Sequence, residues 1–330
     1  MKAVVCREPL PAADSRSLVD AECPSPARPS GRDLLVRVQA VSVNPIDTKM
    51  RMQPSGGERI LGWDAAGVVE AVGEQASLFK AGDEVYYAGS IGRSGSYAER
   101  QLVDERIVGR KPKSLDFAAA AALPLTTLTA YESLVDRLFA SKGKSLLIIA
   151  GAGGVGSMAI QLGKRLGLTV VATASRPESG RWCRELGADH VIDHNEPLMQ
   201  GLRAHGLEGA DYVLNCADTD RYWLESAEAV RPQGAICSIV AAAGPVDLNA
   251  LRAKSARFAW EGMFARSTYK TPDMVEQHRL LNRVADWVDA KELRTTMKQK
   301  LEPINAENLR KAHRQIESRS TIGKIALAGW

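Results

Sequence analysis

The stretch 145–156, SLLIIAGAGGVG, decides the fold of the chain. Its first half, Ser145–Ala150, is an apolar run with the length of a buried strand. Its second half, Gly151–Gly156, has the GxGxxG spacing, and apolar side chains then recur at helical spacing as far as Leu166, just before Gly167. A glycine-rich loop that follows a strand and opens an amphipathic helix is the context in which this spacing indicates a dinucleotide-binding site.

Each residue of the loop has a physical role in that prediction. Gly151 permits the tight turn, Gly153 lets the backbone approach a pyrophosphate, and Gly156 lets the helix pack closely on the strand. Gly154 and Val155 begin the helix, where unpaired N–H groups and the helix dipole favour phosphate groups. The alternative interpretation is a glycine-rich turn that binds no ligand.

The residues after the second predicted strand indicate which nicotinamide cofactor is bound. An NAD site usually has Asp or Glu there to hold the ribose 2′-hydroxyl. This chain has Ser175 and Arg176, and the nearest acid is Glu178, beyond a proline. Because a hydroxyl and a guanidinium suit a 2′-phosphate in geometry and charge, we expect NADPH rather than NADH. The alternative is that Arg176 is a solvated surface residue.

The pattern on either side of the loop predicts an α/β protein with two domains. From about 124 to 262, apolar strand runs alternate with helical patterns, which predicts a doubly wound parallel sheet. The predicted strands are Ser145–Ala150, Thr169–Ser175, His190–Asp193, Asp211–Cys216 and Ala235–Val240. Residues 1–123 instead contain short alternating strands, such as Leu34–Ala40, and predict a mostly antiparallel β domain. A last strand is predicted at Gly323–Leu327.

The composition is that of a globular protein, with 45% hydrophobic and 25% charged residues in 330. The net charge of +4 is spread along the chain and gives no support to nucleic-acid binding. The first apolar stretch, Ala3–Cys6, is too short for a secretory signal, and later apolar stretches are broken by Asp, Pro or Gly. We therefore expect a cytoplasmic protein that does not enter a membrane.

Further segments, spread over nearly the whole chain, resemble one family. They are Val43–Lys49 (VNPIDTK), Gly62–Val69 (GWDAAGVV), Ala122–Ala130 (ALPLTTLTA), the Gly151–Gly156 loop and Trp260–Phe264 (WEGMF). Together they are similar to the medium-chain dehydrogenase/reductase superfamily, and within it to the zinc-less quinone oxidoreductase branch. The resemblance implies a GroES-like catalytic domain over 1–123, completed by 263–330, and a Rossmann NADP-binding domain over 124–262. It also implies a cleft between them and, usually, a homodimer.

The ligands of the zinc-dependent members are missing from the corresponding positions. Those members have a cysteine where this chain has Asn44, and a His-Glu pair where it has Trp63–Asp64. Many carry a four-cysteine structural-zinc lobe, whereas this chain has no cysteine between Cys23 and Cys183 and no histidine before His190. Because zinc needs three or four N, S or O ligands at close range, we expect no metal.

Without a Lewis acid, the predicted chemistry is hydride transfer to acceptors that take it readily, namely quinones or α,β-unsaturated carbonyls (enones). In an enone, hydride from NADPH adds to the β-carbon and negative charge grows on the carbonyl oxygen. Hydrogen-bond donors around that oxygen would supply most of the catalysis, and solvent could deliver the proton. The alternatives are a zinc-dependent alcohol dehydrogenase and an NADPH-binding module with little turnover.

The resemblance also implies roles for residues outside the loop. Asn44 faces the nicotinamide, Thr127 lies near the ribose or phosphates, and the backbone at Met263–Phe264 holds the carboxamide. His194, at the end of the third strand of the Rossmann domain, approaches the cofactor or is a surface histidine. Lys324 reaches the phosphates or is solvated.

A substrate-side group is predicted from Asn44, Asp47 and Lys49. Several quinone reductases carry a tyrosine where Lys49 stands, and that tyrosine is a proposed donor to substrate. Lys49 can also donate a hydrogen bond, or it is an exposed lysine. Asp47 orients Lys49 or caps a turn.

Overall fold

The structure is a computed structural model that describes residues 1–54 and 56–330. In chain order, the strands are β1 (Lys2–Cys6), β2 (Val19–Glu22), β3 (Asp33–Val43), β4 (Arg59–Ile60), β5 (Asp64–Val72), β6 (Glu84–Tyr87), β7 (Arg100–Asp104), β8 (Val108–Arg110), β9 (Ser145–Ile149), β10 (Thr169–Thr173), β11 (His190–Ile192), β12 (Ala210–Asn215), β13 (Val230–Ser238), β14 (Arg257–Trp260), β15 (Met297–Leu301) and β16 (Lys324–Ala328). The α-helices are α1 (Pro45–Arg51), α2 (Phe117–Ala121), α3 (Pro124–Tyr131), α4 (Gly154–Arg165), α5 (Pro177–Glu185), α6 (Leu198–Ala204), α7 (Thr219–Ala229), α8 (Ala265–Tyr269), α9 (Val275–Asp289) and α10 (Ala306–Glu317). A π-helix spans Glu132–Arg137, and short 3-10 helices span Glu105–Ile107 and Leu248–Lys254.

The chain divides into two compact units. The first unit contains Met1–Leu128 and Phe264–Trp330, and the second contains Thr129–Met263. Across the two described ranges, no helix is long and apolar enough to cross a membrane.

The second unit is built on a parallel sheet with the strand order β11-β10-β9-β12-β13-β14. Every residue of β9 is buried, as expected for a strand with neighbours on both sides. The chain runs outward from β9 to β11 and then returns to β12 on the other side of β9. This reversal is the switch point at which doubly wound sheets bind ligands, beyond the carboxyl ends of the strands. The predicted doubly wound sheet is confirmed.

The predicted strands of this sheet differ from the observed ones mainly at their ends. The strand predicted to include Ala150 stops at Ile149, because Ala150 has a left-handed backbone with φ of 63°. The strand predicted to reach Ser175 stops at Thr173, whose side chain and carbonyl oxygen both bind the glycine loop. The strand β9 therefore ends where the chain turns into the glycine loop, and β10 ends beside that loop.

The first unit contains a mostly antiparallel sheet with the order β15-β16-β3-β5-β6-β8, in which β7 also pairs with β3. Along β3, buried Leu34, Val36 and Val38 alternate with more exposed residues, which confirms the predicted period-two strand. The C-terminal strand β16 pairs with the end of β3, with Ile325 opposite Val43. This pairing brings the last strand of the chain beside α1.

Candidate functional site

The glycine-rich loop lies at the carboxyl end of β9, at the switch point of the parallel sheet. Ala150, in its left-handed conformation, turns the chain out of the strand. The hydroxyl of Thr173 accepts a hydrogen bond from the Ala150 N–H (3.0 Å), and its carbonyl oxygen accepts one from the Gly151 N–H (3.1 Å). Gly153 then caps α4 in an extended conformation. The loop is therefore held by the neighbouring strand as well as by its own sequence.

The glycines of the loop serve different purposes. A Cβ on Gly156 would lie 2.3 Å from the carbonyl oxygen of Ala150, and one on Gly151 would lie 2.6 Å from the Cβ of Ala172. The left-handed residue of the turn is Ala150, and Gly151 follows it within the turn, where the lack of a side chain lets it pack on Ala172. A Cβ on Gly153 would lie 3.4 Å from the Ala150 carbonyl oxygen, which is an ordinary contact distance. Gly153 is therefore not required by packing.

Gly153, where packing does not exclude a side chain, and the helix that follows fit a pyrophosphate. The N–H groups of Gly154, Val155 and Gly156 lie in the first turn of α4 and have no carbonyl one turn earlier in the helix. With the positive end of the helix dipole, they would bind phosphate oxygens that approach past Gly153. These residues would hold a dinucleotide cofactor, as the sequence predicts.

Ser175 and Arg176, the predicted 2′-phosphate residues, follow the carboxyl end of β10. Both are exposed. The backbone of Arg176 is fixed at the start of α5, where its carbonyl oxygen accepts a hydrogen bond from the Ser179 hydroxyl (2.9 Å). A fixed backbone and an exposed guanidinium are compatible with a phosphate site, and that role stays a prediction.

His194 lies two residues beyond β11, at the same edge of the sheet. It is half-buried, and its Nδ1 atom is buried with no hydrogen-bond partner in the described part of the chain. Burial lowers the pKa of His194 below its ordinary value, so the ring is neutral at neutral pH. A neutral imidazole with an unused nitrogen fits the prediction that His194 approaches the cofactor, which stays untested.

A buried charge cluster surrounds Asn44 in the first unit. The ammonium of Lys324 donates to the Asn44 Oδ1 atom (2.5 Å) and to the Val43 carbonyl oxygen (2.8 Å), and it lies 3.1 Å from Asp64 Oδ2. The Asn44 amide nitrogen donates to the same carboxylate (2.8 Å), whose other oxygen accepts from the Leu125 N–H (2.8 Å). We call Asn44, Asp64 and Lys324 the Lys324 cluster. Asn44 is 1%, Asp64 0% and Lys324 3% exposed, so the alternative that Lys324 is solvated is wrong.

The ion pair and the hydrogen bonds of the cluster offset the cost of burying its two charges. Burial raises the pKa of the Asp64 carboxyl, and the Lys324 ammonium and the Asn44 amide oppose that rise. A buried ion pair is maintained only if its remaining polar atoms are hydrogen-bonded. Here Asn44, Val43 and Leu125 supply those bonds.

The other two predicted substrate-side residues lie in different surroundings. Asp47 is fully buried and caps α1, because its Oδ2 atom accepts a hydrogen bond from the Asn44 N–H (2.7 Å). Burial raises the pKa of Asp47 to about 7. Lys49 is exposed, two residues further along the same short helix. The structure thus brings Asn44 and Asp47 together and shows Asp47 as a cap.

A buried hydrogen-bond chain that sequence reasoning missed supports Asp47. Arg51, which has only donors, lies 2.9 Å from His313 Nδ1, so that nitrogen accepts and Nε2 carries the proton. Nε2 is then the donor to the Tyr97 hydroxyl (3.2 Å), which donates to Asp47 Oδ2 (3.1 Å). At the other end Arg51 pairs with the partly exposed Glu317. We call Arg51, Tyr97 and His313 the His313 chain.

The His313 chain could not be found from local sequence signals. His313 lies 216 residues from Tyr97 and 262 from Arg51 along the chain. Two hydrogen bonds, through Tyr97, nevertheless connect His313 to Asp47. Burial lowers the pKa of His313 to about 3, so the ring is neutral. Both of its nitrogens are engaged within the chain.

The remaining predicted cofactor residues lie where the chain passes between the two units. Thr127 is buried, and its hydroxyl has no hydrogen-bond partner in residues 1–54 and 56–330. Met263 is buried at the end of the second unit, and Phe264 begins the first unit again. The Phe264 ring meets the Trp63 ring edge-on, with centroids 6.3 Å apart. An unused hydroxyl at Thr127 fits a ligand contact, which stays a prediction.

The residues that replace the zinc ligands do not fit a metal ion. The Trp63 indole N–H donates to the Ser90 carbonyl oxygen (3.1 Å) and offers no lone pair. Asn44 and Asp64 are bound to Lys324, whose charge would repel a cation. In the described ranges, no group of three or more His, Cys, Asp or Glu side chains is arranged to hold a metal ion.

Comparisons with known proteins agree with this fold. Residues 30–113 match the alcohol dehydrogenase GroES-like domain, and residues 186–327 match the zinc-binding dehydrogenase family. The chain is 44% identical over 306 residues to a zinc-type alcohol dehydrogenase-like protein of Staphylococcus aureus strain MSSA476, covering 91% of each. It is 31% identical over 313 residues to a quinone oxidoreductase of Pseudomonas aeruginosa, covering 92% of this chain and 93% of that protein.

Two further similarities bear on fold and chemistry. A solved structure from Rhizobium etli CFN 42, proposed to be a zinc-dependent alcohol dehydrogenase, has a TM-score of 0.96 and 49% identity, covering 100% of this chain and 98% of that one. A 2-methylene-furan-3-one reductase of Solanum lycopersicum is 42% identical over 183 residues, which are 51% of this chain and 46% of that protein. The two-domain fold and these similarities define an oxidoreductase. The chain belongs to the medium-chain dehydrogenase/reductase superfamily, with a GroES-like domain.

Proposed function

We propose that the protein is an NADPH-dependent reductase that transfers hydride to quinones or enones without zinc. The observation that carries the proposal is the Lys324 cluster. Asn44 and Asp64, at positions where zinc-dependent members hold ligands, are bound to a buried ammonium. Polarisation of a substrate oxygen then depends on hydrogen-bond donors, which suits acceptors that take hydride readily.

The names of the relatives support this substrate class from two directions. The Pseudomonas aeruginosa relative is named a quinone oxidoreductase, and the Solanum lycopersicum relative is named for a ketone conjugated to a methylene group. The zinc-type name of the Staphylococcus aureus relative points instead to an alcohol dehydrogenase. The Lys324 cluster, in which a buried ammonium holds Asn44 and Asp64, favours quinones and enones over alcohols as substrates.

The choice of NADPH is supported by the residues after β10. Ser175 and Arg176 offer a hydroxyl and a guanidinium, and the nearest acid along the sequence is Glu178. A carboxylate would repel a 2′-phosphate, whereas a guanidinium binds it with two parallel hydrogen bonds. NADPH is therefore the expected reductant.

The mechanism assigns each part of the chain a separate task. Bound NADPH would supply the hydride from its nicotinamide ring. The first turn of α4 would bind the pyrophosphate. Thr127 and His194, each with a buried polar atom that has no partner among the described residues, would contact the cofactor. Asn44 would orient the nicotinamide or donate to the substrate oxygen on which charge grows. Lys49, which is exposed, is the other candidate donor, and solvent would return the proton.

The test is NADPH oxidation by the purified protein, followed by loss of the reduced-nicotinamide absorbance, with NADH in parallel. The acceptors are benzoquinone, phenanthrenequinone, methyl vinyl ketone, hexenal and a saturated aldehyde. We expect turnover with quinones or enones, a preference for NADPH and no effect of a chelator. Turnover of alcohols or aldehydes that a chelator abolishes, with zinc in the purified protein, would overturn the proposal. NADPH binding without turnover would favour the binding-module alternative.

The resemblance also leads us to propose a homodimer. Light scattering on the purified protein would give twice the mass of the chain if this is right.

A further inference from the structure

The Lys324 ammonium has no donor left for a substrate. Its three N–H groups have acceptors in the Val43 carbonyl oxygen, the Asn44 amide oxygen and the Asp64 carboxylate. Because all three N–H groups have acceptors inside the protein, the ammonium has none to offer a ligand. Any effect of Lys324 on the reaction must pass through the residues that it holds.

The Asn44 amide lies between two opposite charges. Its oxygen faces the ammonium at 2.5 Å, and its nitrogen faces the Asp64 carboxylate at 2.8 Å. A rotation of the amide by half a turn would place the NH₂ group against the ammonium and the oxygen against the carboxylate, and both contacts would be repulsive. One orientation is therefore strongly preferred.

The preferred orientation leaves one N–H of Asn44 available. The second N–H of the amide has the Ser42 carbonyl oxygen at 3.5 Å, which is at the limit of a hydrogen bond. The Asn44 backbone is fixed as well, because its N–H donates to Asp47. A weakly used donor with a fixed direction is what stabilisation of a developing negative charge needs.

We propose that Lys324 is the internal cation of this site: paired with Asp64, it fixes the Asn44 amide and so positions the hydrogen-bond donor of the reaction. This inference rests on the proposed reductase function for its effect on turnover. Lys324 is a positioning residue, and the two residues that it holds, Asn44 and Asp64, stand at positions that carry zinc-site residues in the zinc-dependent members. The prediction that Lys324 binds the cofactor phosphates is replaced by this role.

The decisive variant removes both charges. Lys324→Met alone leaves the Asp64 carboxylate buried without its ammonium, so it is expected to lower both stability and activity and cannot separate the two. In Lys324→Met/Asp64→Asn no buried charge is left unpaired, and the amide oxygen introduced at position 64 can still accept from the Leu125 N–H. We expect its melting temperature to recover toward that of the wild type. The kcat should stay at least about tenfold lower, because the ammonium that held the Asn44 oxygen is gone and an NH₂ group at position 64 faces the Asn44 NH₂ group, so the original orientation is no longer preferred.

The controls distinguish a loss of Asn44 positioning from a general loss of structure. NADPH affinity, measured by fluorescence, should change by less than about twofold in the double variant, because the glycine loop binds the pyrophosphate. Lys300→Met, on β15 and partly exposed, should leave kcat within about twofold of the wild type. A folded double variant with wild-type kcat would overturn the proposal. If the double variant does not fold, Asp64→Asn alone, which retains the ammonium, should lower kcat by a few fold, and wild-type kcat there would overturn it.

A readout without turnover distinguishes this inference from the proposed function. In the nitrogen-15 NMR spectrum, the Asn44 side-chain NH₂ signal is assigned by its loss in Asn44→Ala. In the wild type, one of its protons should exchange slowly with solvent, and in the double variant both should exchange rapidly. If no acceptor is turned over but the exchange differs in this way, the reductase proposal fails and the positioning by Lys324 stands. Rapid exchange of both protons in the wild type would overturn the positioning.

Discussion

The glycine loop of the second unit and the Lys324 cluster of the first unit are built in opposite ways. Most of the loop comes from one stretch, 145–156, and its outside support comes from Thr173 and Ala172 of the next strand. The Lys324 cluster joins Asn44 to Asp64, 20 residues later, and to Lys324, 280 residues later. The loop uses the backbone and the absence of side chains, whereas the cluster uses buried charges.

Because of this difference, the two regions are destabilised by different kinds of substitution. The loop tolerates no added atoms at Gly151 and Gly156, where packing is close. The cluster and the His313 chain tolerate no lost partner, because each buried polar group depends on the next. Substitutions should therefore affect the loop by steric crowding and the first unit by electrostatics and pH.

The largest effect should come from the His313 chain at acid pH. The folded-state pKa of His313 is lowered to about 3. Its contribution to the free energy of unfolding is therefore fully present above the ordinary pKa of 6.5 and is lost as the pH falls from 6.5 towards 3. The full difference is about 5 kcal/mol. Asp47, whose pKa is raised to about 7, acts in the opposite sense, since its contribution is lost as pH rises toward 7. The two oppose each other in the wild type.

Comparison with His313→Gln isolates the histidine, because glutamine can accept from Arg51 and donate to Tyr97 without titrating. The measurement is urea unfolding from about pH 7 down to about pH 4.5. The wild type should lose stability relative to the variant as pH falls. His205→Gln, at an exposed position, controls for the loss of an imidazole. Parallel curves for wild type and His313→Gln would contradict the buried, neutral state of His313.

The next prediction compares two glycines of the loop, Gly156 and Gly153. Gly156→Ala should destabilise the protein by about 1–3 kcal/mol, because its Cβ would lie 2.3 Å from a backbone oxygen. Gly153→Ala should change stability by less than about 1 kcal/mol and yet weaken NADPH binding about tenfold or more, because the methyl group fills the space for the pyrophosphate. Urea unfolding and NADPH fluorescence measure the two quantities. If Gly153→Ala binds NADPH normally, the loop does not bind the cofactor as predicted.

Both the success and the failure of sequence reasoning follow from this comparison. The doubly wound sheet and the loop could be predicted because periodicity and spacing are local. The position of Lys324 could not, because the pairing of Ile325 with Val43 places it and no local signal encodes that register. For the same reason Tyr97 and His313 were missed, and Lys324 was expected near the phosphates. The zinc ligands could be judged absent because single positions decide that question.

Cofactor choice should respond to a single exposed residue. Arg176→Ala should lower kcat/KM for NADPH about tenfold, or about 1.4 kcal/mol, and leave that for NADH nearly unchanged. Arg181→Ala, exposed on the same helix α5, is the matched control and should leave both values within about twofold. Steady-state kinetics with the best acceptor give the ratio. Equal losses with both cofactors would mean that Arg176 does not contact the 2′-phosphate.

The smallest expected effect concerns Ala150, the one residue of the loop whose conformation local reasoning did not predict. Its φ of 63° costs an alanine roughly 1 kcal/mol, a strain that glycine does not have, although glycine loses more chain entropy on folding. Ala150→Gly should therefore leave stability unchanged or raise it by up to about 1 kcal/mol, whereas Ala159→Gly, inside α4, should lower it by about 1 kcal/mol or more. NADPH affinity should not change in Ala150→Gly, because the turn is also held by Thr173. A clear loss of stability in Ala150→Gly, similar to that of Ala159→Gly, would show that the turn is not left-handed and that the strand continues into the loop as the sequence first indicated.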